Sequence, residues 1–234
     1  TTGLMQPQMA PAIEKATRKE FPNGIPAYGT DALRFTFAAL ATTGRDIRFD
    51  LGRIEGYKNF CNKIWNAARY VLMNTEQLDD GDLELSASDR WIRARFDATV
   101  VEVHRHFDTY RLDLVAQAIY EFTWNEFCDW YLEWIKADLY SDDEAVKQQA
   151  RGVLLVVLET ILKLIHPIIP FVTEEIWSVL PGERKVLMLE PYPGRQDGWF
   201  NETAEKQMEL LMGVITGIRN IMAEADVHPS QMID

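Results

Sequence analysis

Residues 86–107 read SASDRWIRARFDATVVEVHRHF. Ser86 and Asp89 stand three apart at the start, the spacing of a reciprocal capping box that opens a helix. Ile92, Phe96, Val100, Val103 and Phe107 then recur at steps of four, four, three and four, which lays one apolar stripe along that helix. Such a stripe is buried by packing on similar neighbours, and the flanking chain supplies them. The ten prolines lie at 7, 11, 22, 26, 167, 170, 181, 191, 193 and 229, so residues 27–166 contain none. Proline breaks helix interiors, and few folds omit it for so long except long helices with short joints. No repeated Asn-Gly or Asp-Gly hairpin signal interrupts the stretch.

Working outward, the spacing predicts a first helix with Thr30 as its cap, Asp31 in its first turn and Gly44 at its end. Its sequence, DALRFTFAALATT, is apolar nearly all round, which predicts burial on every side. GRDIRFD (44–50) reads as a short extended loop, with Asp50 capping a helix over 51–74. Residues 76–88 read as an acidic loop. Further helices are predicted over about 112–138, from a Ser141-x-x-Glu144 capping box to His166 where Pro167 stops it, and over about 171–180. Residues 183–200 are extended and turn-rich, and an amphipathic helix follows over about 202–224. The expected fold is all-α: an antiparallel bundle of five or six helices, with an extended segment near 184–194 and a trailing helix. The expected organisation is a linker over 1–28, the bundle over 29–182, and the extended segment and helix over 183–234.

The composition, 234 residues with 47% hydrophobic and 26% charged, suits a soluble globular chain. No apolar run approaches the roughly 18 residues that cross a bilayer. The start, TTGLMQPQMAPAIEK, has no signal-peptide pattern, and both ends read as cuts within a longer protein. Cys61 and Cys128 are too few for a disulfide framework or a zinc ribbon, which fits a reducing compartment. The net charge of −12 at first argues against a nucleic-acid partner. Its distribution is uneven: residues 1–75 carry 10 Lys+Arg and 6 Asp+Glu, net +4, and the remainder carries net −16. Screening over about 8 Å lets a local basic end act alone.

Motifs for chemistry are absent. There is no G-x-G, no G-x-x-x-x-G-K-[ST], no G-x-S-x-G and no C-x-x-C. His104 and His106 are two apart on a helix and diverge, and no His has a Glu three residues before it to make a di-iron ligand pair. Glu174 and Glu175 are adjacent on a helix, diverge by about 100°, and read as first-turn structural acids.

The informative feature is the helix GRIEGYKNFCNKIWNAARYVLMN (52–74). Asn59, Asn62, Lys63, Asn66 and Arg69 follow one face, while Phe60, Ile64, Ala67, Ala68 and Val71 follow another. Asparagine is a poor helix former, so three on one face cost together about 1.5–2 kcal/mol relative to alanine. A carboxamide pairs with base edges or with exposed backbone, and Lys63 and Arg69, extended by Arg45 and Arg48, suit phosphates. The alternative, that these asparagines bond to neighbouring helix ends and loops, stands open on residue types alone. Phe122, Trp124, Phe127, Trp130, Tyr131 and Trp134 read mostly as core, with Trp124 or Trp130 the candidates for exposure.

GTDALRFTFAALATTGRDIRFD followed by GYKNFCNKIWNAARYVL resembles the start of the anticodon-binding domain of class I aminoacyl-tRNA synthetases, whose D-A-L-R tetrad is its hallmark. FTWNEFCDWYLEW and HPIIPFVTEEIW resemble its middle and end in the valine, isoleucine and leucine branch, and GRDIRFD, the NFCNKIWNAARYVLMN helix and FCDWYLE together resemble the valyl-tRNA synthetases in particular. The resemblance covers about residues 5–225. It implies a cytoplasmic parent ligase that joins valine to its tRNA with ATP and Mg2+, with H-I-G-H and K-M-S-K-S sequences upstream of Thr1 and a coiled-coil arm beyond Asp234. The chain itself is then expected to be non-catalytic, to need no ATP, zinc, valine or other metal or cofactor, to be a monomer off the membrane, and to bind the anticodon stem-loop of valine tRNA. On this resemblance Arg45, Arg48, Lys63 and Arg69 hold phosphates or stack on bases, Asn59, Asn62 and Asn66 contact base edges, and Trp65 or Phe60 stacks. Met222 stands where family members often carry a basic residue, which weakens a tRNA role for the last helix. The alternatives are the same domain of an isoleucyl-tRNA synthetase, a helical interaction module without RNA, and a metal-dependent bundle enzyme.

Overall fold

The computed structural model describes residues 7–42, 50–75 and 85–227. Among these every regular element is helical: α1 (Ala10–Glu20), α2 (Thr30–Leu40), α3 (Leu51–Asn74), α4 (Ala87–Asp108), α5 (Leu112–Glu121), a π-helical segment (Phe122–Tyr131), α6 (Leu132–Leu139), α7 (Glu144–Ile165), α8 (Pro170–Ser178) and α9 (Glu202–Glu224). The all-α bundle is as the apolar periodicity predicts. Its core joins Phe35 of α2, Phe60 and Ile64 of α3, Ile92 and Phe96 of α4, Ile119 of α5 and Leu154, Leu158 and Ile161 of α7.

The caps show which local signals carry. Asp50 accepts from the Gly52 amide and opens α3. Ser86 and Asp89 form both bonds of the capping box of α4. The box expected at Ser141 is absent: Asp143 caps α7 by accepting from the Ala145 amide, and the Ser141 hydroxyl accepts from the Asp143 amide. α2 is capped at Gly29 rather than Thr30, and Gly29 has a φ of 93°, a left-handed turn that glycine takes without strain. Nor is α2 buried all round. It packs by one side on α3 and α5, leaving Leu33 and Phe37 exposed. α2 ends at Leu40, where the Ala41 amide closes on the Ala38 carbonyl, before the expected Gly44; most of the acidic loop and of GRDIRFD lies outside the described residues. Within the stretch read as a linker, α1 forms with none of its residues buried.

The predicted helix over 112–138 widens to π geometry over Phe122–Tyr131. Phe122 and Thr123, Phe127 and Cys128, Tyr131 and Leu132 are buried in pairs five and four residues apart. An α-helix would rotate such pairs off the core face, and the wider turn keeps them on it.

The D-A-L-R tetrad has a physical reading. Its acid and its base both grip the turn between α7 and α8. Asp31, buried, accepts from the amides of Phe171 (3.3 Å) and Val172 (2.7 Å), satisfying orphan donors at the start of α8. Arg34 donates from Nε to the Ile168 carbonyl (2.8 Å) and from Nη2 to the Pro167 carbonyl (2.9 Å). In the same turn His166 Nδ1 pairs with the Thr173 hydroxyl at 2.8 Å. Burial lowers the His166 pKa below its ordinary 6.5, against the opposing pull of Glu174 and Asp31. The folded chain therefore resists a proton that the unfolded chain accepts. This part of the stability is complete above about pH 6.5 and drains as pH falls through that value toward the lower folded one. His166→Gln is expected to flatten the dependence of the urea midpoint on pH between about 7 and 5.5. An unchanged slope would remove His166 as its source.

Residues 183–200 strap the bundle, with one 3-10 turn at Leu187–Leu189. Glu174 accepts from the Leu187 amide, Tyr192 donates to the Leu164 carbonyl, and Trp177 lies beneath both Lys163 and Arg184. His104 Nε2 donates to the Pro193 carbonyl, a structural bond. Arg95 then ties α4 to Glu126 of the π segment and Glu205 of α9.

Candidate nucleic-acid interface

α3 presents its apolar side, Ile54, Phe60, Ile64, Ala67, Ala68 and Val71, to the bundle. The 3.6-residue period then aims Asn59, Asn62, Asn66 and Arg69 the other way. All four are exposed, and none makes a hydrogen bond or ion pair with another described residue. No helix end or loop among the described residues pairs with these carboxamides. Glu55 heads the same face and Met73 ends it, both exposed.

The remaining candidates divide. Trp65 lies at one edge of the face and is 39% exposed. Phe60 is 0% exposed, sealed beneath Phe35, Tyr120 and Trp124, so it offers no ring to a base. The reason is register: Phe60 is one residue past Asn59, about 100° around the helix and on the core side. Lys63 is half-buried at the other edge. Its ammonium donates to Asp129 at 2.7 Å and sits 4.9 Å from the centre of the Trp124 ring, so its charge is already partnered. Arg45 and Arg48 lie outside the described residues.

Sequence reasoning passed over one neighbour of this face, Lys58, and offered another, Trp124, as one of two candidates for exposure. Lys58 is exposed and without an ion pair among the described residues. Its position one turn before Asn62 was the available signal. Trp124 is the half-buried outer member of a stack with Tyr120, 5.5 Å apart and 14° from parallel. It takes the place beside α3 that Phe60 does not occupy. The sequence offered Trp124 or Trp130 as the exposed ring, and the π turn sets which aromatics reach the surface. Phe122, Phe127 and Tyr131 are buried, while Trp124, Trp130 and Trp134 are half-buried. No cluster of three or more His, Cys, Asp or Glu side chains able to hold a metal occurs among the described residues. Burial pushes the thiols of Cys61 and Cys128 up to about 12, so neither is a ready nucleophile.

The chain has clear relatives. Residues 89–234 match the family model described as the anticodon-binding domain of tRNA ligase. The chain is 52% identical to a valine–tRNA ligase of Coxiella burnetii (strain RSA 493 / Nine Mile phase I), and 50% identical to those of Legionella pneumophila strains Lens and Paris. Each alignment covers all of this chain and 26% of the relative, so the chain spans about a quarter of their length. The family match starts at Asp89, after α3, whereas these relatives align across α3 as well. Among solved structures, LeuRS of Agrobacterium radiobacter K84 (agnB2), in a ternary complex with tRNA and LeuAMS, shares the fold. Its TM-score is 0.57 at 19% identity, covering 80% of this chain and 21% of that one. The chain belongs to the family of anticodon-binding domains of tRNA ligases.

Proposed function

We propose that this chain binds the anticodon stem-loop of a valine tRNA, in the cytoplasm, as one part of a valine–tRNA ligase. The observation that carries the proposal is the outward face of α3, where Asn59, Asn62, Asn66 and Arg69 are exposed and have no side-chain partner among the described residues. Loops of RNA are read by splaying bases out and bonding their edges. Carboxamides that a monomeric bundle would not otherwise favour on a helix surface are suited to that task. Arg69 and Lys58 supply charge for phosphates, and Arg45 and Arg48 are proposed to add to it. Trp65 and Trp124 are the rings within reach, and Lys63 reaches RNA only by leaving Asp129. The valine specificity is supported by the relatives at 50–52% identity. In this reading ATP, Mg2+ and the joining of valine to tRNA belong to the remainder of the longer protein, and the chain contributes selection of the RNA.

Filter binding with a valine tRNA transcript at low and moderate salt tests the proposal. Affinity should fall steeply as salt rises, because each phosphate neutralised releases condensed counterions, with a slope of about −0.7 per contact on single strands. A non-cognate tRNA should bind more weakly at the same salt. Absence of any salt-sensitive binding, by this chain and by the full-length ligase alike, would refute it and favour a protein-interaction role.

A further inference from the structure

The start of α2, the middle of α3 and the start of α8 enclose an open cleft of about 290 Å³ that touches the RNA face at Asn62. Two aromatic rings flank it. Phe171 is 63% exposed at the second position of α8, although its backbone is fixed by the bond from its amide to Asp31. Tyr28, half-buried, also lines it. From α3, Lys58 and Asn62 enter as an unpaired cation and an unpaired carboxamide among the described residues. Thr30 also lines the cleft, and the Asp31 and Cys61 groups are spoken for. The Asp31 carboxylate holds the amides of Phe171 and Val172, and the Cys61 thiol stays protonated, its pKa raised to about 12 by burial and by Asp31.

We propose that this cleft receives one nucleobase splayed from the RNA loop, with its face on Phe171, its edge read by Asn62 and its phosphate near Lys58. The inference rests on the RNA-binding reading of α3 and adds a defined pocket to it. The chemistry favours a base over other small ligands. A planar ring with apolar faces and a polar edge uses an exposed aromatic and a neutral carboxamide together. A fully anionic ligand would meet Asp31 as well as Lys58. A purely apolar ligand would leave Asn62 and Lys58 desolvated and unpaired.

The test uses this chain and an anticodon stem-loop RNA carrying 2-aminopurine at each loop position in turn. One position is expected to change fluorescence on binding. Phe171→Ala should abolish that change and weaken binding roughly tenfold, the scale of one lost base stack. Phe171→Trp should retain both, and Asn62→Ala should weaken binding while leaving the stacked signal. The Phe171 ring lies outside the core, so thermal melting of Phe171→Ala should match the unaltered chain. Two results overturn the proposal. If the stem-loop binds and Asn66→Ala weakens it, yet no position senses Phe171 and both cleft variants bind normally, the cleft is not a base site while the α3 reading survives. If no stem-loop binds at all, the α3 reading falls first and the cleft with it.

Discussion

Asp89→Ala is expected to destabilise the chain by about 3–5 kcal/mol, the sum of a lost helix cap and of buried partners left unpaired. Asp89 is 0% exposed. One oxygen accepts from the Tyr131 hydroxyl at 2.8 Å, and the other from the Ser86 amide at 3.1 Å and the Gln149 side chain at 3.0 Å. A single carboxylate thus caps α4, fixes the last residue of the π segment and ties α7 to both. Burial, with Asp89 beside it, raises the Tyr131 pKa well above the ordinary phenol value, so the hydroxyl remains a donor at all working pH. Removing the acid strands that hydroxyl where water does not reach. The loss is a large fraction of the roughly 5–15 kcal/mol that keeps a domain folded. Ser86→Ala, which removes the reciprocal cap bond and a contact with the Ser88 hydroxyl but leaves Asp89 in place, should cost only about 1 kcal/mol. Urea unfolding of the two variants decides the matter, and equal losses would mean that the bonds to Tyr131 and Gln149 contribute nothing.

Asn66→Ala should move stability and RNA binding in opposite directions. Asn66 is exposed and its carboxamide bonds to no other described residue, so nothing in the described bundle depends on it. Alanine is the better helix former by roughly half a kcal/mol, and the variant should melt no lower than the parent chain. Loss of one base contact should meanwhile weaken tRNA binding, and charging by a full-length ligase, by one to two orders of magnitude, corresponding to about 1–3 kcal/mol. Arg69→Ala should weaken binding to all RNAs more evenly and reduce the salt slope by about one. A variant at Asn66 that melts higher and charges normally would remove α3 from the interface. Arg48→Ala carries the same one-to-two-order expectation for charging, on the weaker footing of position in sequence.

Much of the fold was legible because its signals are local. The capping box at Ser86 and Asp89, the Asp50 cap and the stripe from Ile92 to Phe107 depend on residues within one or two turns of each other, and they appear in the structure as spacing predicts. The failures were also local in form but were decided elsewhere. Ser141 lost the α7 cap to Asp143, two residues on, because each can bond a nearby amide and spacing alone does not rank them. The apolar sequence of α2 predicted burial on all sides, yet the bundle offers it one side only.

The amino-acid sequence by itself determined the helices of the bundle, though not α1 or the π turn, the family, and the direction in which Asn59, Asn62, Asn66 and Arg69 share a face, since the period of a helix is a property of the backbone. Only the tertiary structure decided whether that face looks outward, that Lys63 is engaged by Asp129, that Phe60 is sealed and Trp124 is not, and that Asp31 and Arg34 clamp a turn more than a hundred residues away. Those outcomes depend on which helices meet and at what rotation. That geometry is set by burying all the apolar stripes at once, and it cannot be read from any one of them.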